Sequence, residues 1–134
     1  MSEDRRMPII RSNPPTLHAP VGSYHHCNVV EAGSRMLFAA GQIGVGLDGV
    51  LVKDPREQIA QAWRNVRSVV EAAGMTHRDI VRLTVYMVGA EHVEYSRDCR
   101  NRIIEGERPG STLVYVAGLA EPDMIIEIDV ICAA

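Results

Sequence analysis

Cysteine is scarce in this chain: Cys27, Cys99 and Cys132 are an odd number, and none stands in a CxxC pair. That argues against a disulfide framework or a zinc site and leaves free thiols as the reading. Long apolar runs are missing too. No stretch approaches the roughly 18 apolar residues of a membrane span, and the polar opening Met1-Ser2-Glu3-Asp4-Arg5-Arg6 lacks the apolar core of a secretion signal. A cytoplasmic protein with no membrane partner is expected. Basic runs are absent as well, with a net charge of −3 and no stripe of aromatic and basic residues, so nucleic acid is an unfavoured partner. Gly41-Gln42-Ile43-Gly44-Val45-Gly46 is glycine-rich but lacks the order of a dinucleotide fingerprint and the helix start that follows one, so no cofactor is implied. Nor is a metal expected, because no HExxH-like spacing occurs and His25 and His26, read on a strand, point to opposite faces.

What is present suits one domain spanning 1–134, with 46% hydrophobic and 23% charged residues. Residues 1–21 hold four of the seven prolines and read as an extended N-terminal arm. The segments 25–32 and 36–40 flank a turn at Gly33 and read as two strands of a hairpin. Asp54-Pro55 is an N-cap with a first-turn proline, and Glu57 stands where a capping box needs it. Ile59, Ala62, Trp63, Val66, Val69, Val70 and Ala73 then recur at spacings of three and four, and Gly74 closes the helix. A strand over 79–88 follows. The next helix, 91–105, has a thin inward stripe of Val93, Ser96, Cys99, Arg100 and Ile103, which places it on the outside of the domain. Strands over 112–116 and 124–133 complete the chain.

This order predicts an α+β fold in which two helices cover one face of a single mixed sheet. The other face, rich in Val, Ile and Leu, is expected to be buried against another copy. Within the last strand, Ile125-Ile126-Glu127-Ile128-Asp129-Val130, Glu127 is an acid in an apolar run that must be paired, hydrogen-bonded or turned to a cleft. It is the first candidate site residue, with pairing to a basic neighbour as the competing reading.

Gly22-Ser23-Tyr24, Ala40-Gly41-Gln42-Ile43, Asp48-Gly49, Gln58, Asn65-Val66, Ala73-Gly74, Thr84-Val85-Tyr86 and Arg108-Pro109-Gly110-Ser111-Thr112, in that order, resemble the Rid (reactive intermediate deaminase) or YjgF-like family. The resemblance covers nearly the whole chain and implies a chorismate-mutase-like fold, a homotrimer, and small-molecule clefts between subunits. In the deaminases of that family water adds to a 2-imino or enamine acid. By resemblance, Glu127 positions or activates the water, and Tyr24 walls the pocket and offers its hydroxyl. Gly41 is read as letting backbone approach the ligand or a neighbouring strand, with a strand-ending turn as the competing reading.

The family's carboxylate-gripping arginine falls at Ser111, where a hydroxyl cannot supply the two parallel charge-assisted bonds of a guanidinium. Ser111 and Thr112 can still offer hydroxyls and backbone N–H groups to a small anion. Arg108 lies three residues earlier, about 10 Å along an extended chain, so it takes over only if the loop path differs. The expected function is that of a small-molecule protein of a branch lacking that arginine, without efficient 2-imino acid deamination. A competent enamine or imine deaminase, and an RNA-directed endoribonuclease or translation inhibitor, are the alternatives. Whether the chain is an enzyme stays open at this level.

Overall fold

The computed structural model describes residues 8–134. Six strands and two helices follow one another as β1 (Ile9–Ser12), β2 (Cys27–Val30), β3 (Met36–Phe38), α1 (Pro55–Ala72), β4 (Ile80–Met87), α2 (Val93–Ile103), β5 (Gly110–Tyr115) and β6 (Ile126–Ala133). The main sheet has the order β3-β6-β4-β5, and a second, two-stranded sheet pairs β1 with β2. The main sheet is mixed, since β4 and β5 run parallel while β6 is antiparallel to β3 and to β4.

Helix α1 starts where the sequence says it should: the Asp54 carboxylate accepts from the Glu57 N–H at 3.0 Å, and Pro55 needs no donor in the first turn. It ends at Gly74, whose φ of +74° lets Gly74 N–H reach the Glu71 carbonyl and Met75 N–H reach that of Val70, closing the last turn. Its stripe Ile59, Ala62, Trp63, Val66 and Val70 is buried on Leu83, Val85 and Met87 of β4 and on Ile126, Ile128, Val130 and Cys132 of β6. Helix α2 joins the same layer through Cys99, and Ser96 accepts the buried Trp63 indole N–H at 3.1 Å. Both helices therefore cover one face, as the pattern predicts.

One expectation is corrected. The segments around 27–30 and 36–38 do not form a hairpin: β2 pairs with β1, while β3 adds to the edge of β6, where Leu37 turns toward the core and Met36 and Phe38 turn away. Within the proline-rich segment Ile9–Ser12 forms a strand paired with β2; its first seven residues lie outside the described ones. The uncovered face carries apolar residues, Met36 and Phe38 from β3, Val114 from β5 and Ile131 from β6, among polar ones. Alternation puts Thr84 and Tyr86 from β4 and Glu127 and Asp129 from β6 there as well, a bulge between Ile80 and Arg82 adds both Val81 and Arg82, and the β1-β2 ribbon covers one end of the face through Ile9, Val81 and Ala133.

Burial pushes the Cys132 thiol up to about 12, with the neighbouring buried Asp79 adding to the effect. The folded chain then holds that proton more tightly than the unfolded chain, whose thiols titrate near about 8.5. This contribution to stability is fully present below that value and is lost as pH rises towards about 12. Urea midpoints of the wild type are expected to fall more steeply above about pH 8.5 than those of Cys132→Ala. Parallel slopes would contradict this.

Candidate functional site

The sheet decides which candidate residues can meet. On β6, Ile126, Ile128 and Val130 point to the helices, so Glu127 and Asp129 point to the open face. Across the ladder Glu127 is opposite Tyr86 and Asp129 is opposite Thr84. The segment carrying Gly41 is tied to β6 by a reciprocal pair of bonds, Gln42 N–H to the Ile128 carbonyl at 2.6 Å and Ile128 N–H to the Gln42 carbonyl at 2.9 Å. This lays Gly41 under the Glu127 side chain so closely that a Cβ there would come within 2.8 Å of the carboxyl carbon. Glycine is needed at 41 for this approach and not for a special φ. Among the described residues the half-buried Glu127 carboxylate has no hydrogen-bond or ion-pair partner, so the basic-neighbour reading finds no support.

The loop under this carboxylate is held by two side-chain amides of α1. Gln58 is buried; it donates to the carbonyls of Val52 and Asp123 at 2.9 and 3.1 Å and accepts from Ile125 N–H at 2.7 Å. Asn65 donates to the carbonyls of Ile43 and Val45, both at 2.8 Å. These two residues thus fix the segment that follows Gly41 and the approach to β6.

Ser111 lies on the other side of the sheet. The parallel register sets Ser111 beside Leu83 and Thr112 beside Thr84, so Ser111 and Leu113 face the helix layer while Thr112 faces the open side. There Thr112 accepts from Arg82 at 2.7 Å. Ser111 and Leu113 line a cavity of about 510 Å³ together with Tyr24, Trp63 and the inward turns of α2. Tyr24 is brought there by the docking of its neighbour: the His25 N–H and Nδ1 both meet the Arg108 carbonyl, at 3.1 and 2.6 Å, which requires the Nδ1-protonated tautomer. The Tyr24 hydroxyl accepts from Val21 N–H at 3.3 Å, and its ring packs edge-on against His26 at 5.4 Å.

The predicted residues therefore divide into two sets. Glu127 and Gly41 form one surface; Tyr24 and Ser111 form another across the sheet. Thr112 belongs to the Glu127 side. Arg108 is exposed and does not line the Tyr24 cavity; its backbone carbonyl, not its guanidinium, contributes by anchoring His25. Sequence reasoning did not assign Arg100 to the site, although its place on the inward stripe of α2 is visible in the spacing; Arg97 and Arg100 both line the cavity that holds Ser111. Among the described residues no three His, Cys, Asp or Glu side chains converge as a metal site would require, and no helix is long and apolar enough to cross a membrane.

Comparison with known proteins agrees with this fold. The family described as Endoribonuclease L-PSP matches residues 16–134. A RutC family protein of Pyrococcus horikoshii is 31% identical over 114 residues, covering 84% of this chain and 87% of that protein. A protein named 2-iminobutanoate/2-iminopropanoate deaminase in Salmonella typhimurium is 37% identical over a shorter stretch of 73 residues, 54% of this chain and 56% of that protein. Among solved structures, a Rid-family protein of unknown function, YyfB of Yersinia pestis, superposes with a TM-score of 0.82 at 30% identity, over 96% of this chain and all of that one. The chain belongs to the Endoribonuclease L-PSP family, whose members also carry the names Rid, YjgF and RutC.

Proposed function

We propose that this protein is a cytoplasmic homotrimer with small-molecule clefts between its subunits, and that each cleft adds water to the C=N bond of a reactive imine, or of the imine tautomer that an enamine forms by taking a proton on carbon. One subunit contributes Tyr24 and Ser111, and its neighbour contributes Gly41 and Glu127. The observation that carries this reading is the division of the candidate residues by the sheet: side chains on its two faces cannot meet within one chain, whereas two copies packed edge to face can bring them together. The unpartnered Glu127 carboxylate then accepts a proton from water as the oxygen attacks the imine carbon. The carbinolamine so formed expels ammonia once its nitrogen has gained a proton, leaving the carbonyl compound. In this reading the Tyr24 hydroxyl, which accepts from Val21 N–H, keeps its proton to donate to the substrate nitrogen or to the water.

Serine at 111 makes short 2-imino acids, of the kind named for the Salmonella relative, poor substrates, because the strand offers them no guanidinium. An RNA-directed activity, which the family's description carries, is disfavoured by the net charge of −3. Ammonia release from enzymatically generated 2-iminopropionate, compared with a bulkier imino acid, tests the assignment. The wild type is expected to be slow on the first and faster on the second, and Ser111→Arg is expected to gain on the first. Release no faster than in buffer from either compound, by both proteins, would overturn it.

A further inference from the structure

We infer that Arg100 of helix α2 supplies the cation that seats a ligand's carboxylate in the Tyr24–Ser111 cavity, and that the ligand is a small organic acid with an apolar body. The inference deepens the function proposed above by naming how its substrate class is recognised. Arg100 stands on the inward turn of α2 with the buried Ser96 and Cys99, so its guanidinium is half-buried in the cavity wall, not out in solvent. Its Nε and Nη2 have only the Asn101 amide oxygen, with both contacts at 3.4 Å, the outer limit of a hydrogen bond. Among the described residues no carboxylate pairs with it.

The charges around it sharpen the case. Arg97, one turn back, is already paired with Glu94, and Asp98 at the cavity's edge is exposed. Desolvation first, and then the nearby Arg97 charge, press the Arg100 guanidinium below its ordinary range, although an arginine so shifted stays charged at neutral pH. A half-buried cation beside a second cation, with its donors poorly used, is stabilised by an anion entering the cavity. The remaining walls define the rest of the ligand: Leu113, Val85 and Val93 give an apolar surface, and the Tyr24 and Ser111 hydroxyls give two polar points. A cavity of about 510 Å³ lies within the range of small-molecule sites. The guanidinium absent from β5 thus has a counterpart on α2, on the same side of the sheet as Ser111.

The test is binding of 3-phenylpropanoate and of its neutral amide by the full chain, measured by titration calorimetry with no turnover involved. The wild type is expected to prefer the carboxylate, and Arg100→Gln to weaken its binding by at least about tenfold while leaving the amide unchanged. Arg100→Lys should recover part of the loss, and Arg102→Gln should change little, because Arg102 is exposed on α2 and does not line the cavity. A variant that had merely lost structure would weaken both ligands and melt early. Equal carboxylate affinity in wild type and Arg100→Gln, or no preference for carboxylate over amide in the wild type, would overturn the inference. If the Arg100-dependent preference is found but Glu127→Gln leaves imine hydrolysis untouched, only the reaction proposed above falls.

Discussion

Glu127→Gln is expected to slow hydrolysis of a bulky imino acid by about 10²- to 10⁴-fold, the usual loss when a positioned general base is removed, with the melting temperature nearly unchanged. The two halves of that expectation have separate grounds. Glutamine keeps the shape of the side chain but cannot take the proton of the attacking water. Stability is spared because the carboxylate forms no hydrogen bond or ion pair among the described residues, so no partner is left stranded. Gly41→Ala should reproduce much of the kinetic loss with Glu127 still present, because the new methyl group would lie within 2.8 Å of the Glu127 carboxyl carbon and displace it. Steady-state ammonia release and thermal melts on the same preparations check both variants. An active Glu127→Gln would remove Glu127 from the mechanism.

Gln58→Ala is expected to cost about 3 kcal/mol or more of folding stability. Gln58 satisfies three backbone groups, from Val52, Asp123 and Ile125, in a position 1% exposed. Truncation leaves those groups short of partners and opens a void, and the usual penalty for each orphaned buried group is about 1–3 kcal/mol. Its close packing is evident at Gly44, where a Cβ would meet the Gln58 backbone oxygen at 2.5 Å. Because Gln58 holds the approach to β6, the variant should also lose activity at temperatures where it is still folded. Urea denaturation measures the first effect. A loss below about 1 kcal/mol would mean that water replaces the amide without cost.

Much of this was legible in the sequence where the signal is local. Asp54-Pro55, a stripe of threes and fours, and Gly74 define α1 without any tertiary knowledge. An acid inside Ile126-Glu127-Ile128 flags itself. The pairing of β3 with β6 could not be read, because any short apolar strand fits several partners and the hairpin is merely the nearest one. Strand β1 was hidden by its length of four residues between prolines. The polar share of the open face was not read, because strand composition was weighed without its alternation, which sets Thr84, Tyr86, Glu127 and Asp129 among Phe38, Val114 and Ile131.

The site was half legible for the same reason. Each of Tyr24, Gly41, Ser111 and Glu127 stands out in the chain, but which of them share a face depends on two registers at once, parallel for β5 on β4 and antiparallel for β6 on β4. Arg100 sat in plain view on the inward stripe of α2. What it faces emerges only when that helix is packed beside Ser111.

The central claim, that a working site draws on two chains, is tested most directly by mixing two inactive variants. Tyr24→Phe paired with Ser111→Ala in one chain, and Glu127→Gln in another, are unfolded together in equal amounts and refolded. In random trimers about one cleft in four then combines an intact Tyr24–Ser111 edge with an intact Glu127, so imine hydrolysis should return to about a quarter of the wild-type rate. A mixture no more active than the separate variants would contradict the account and place the whole reaction within a single chain or nowhere in this protein.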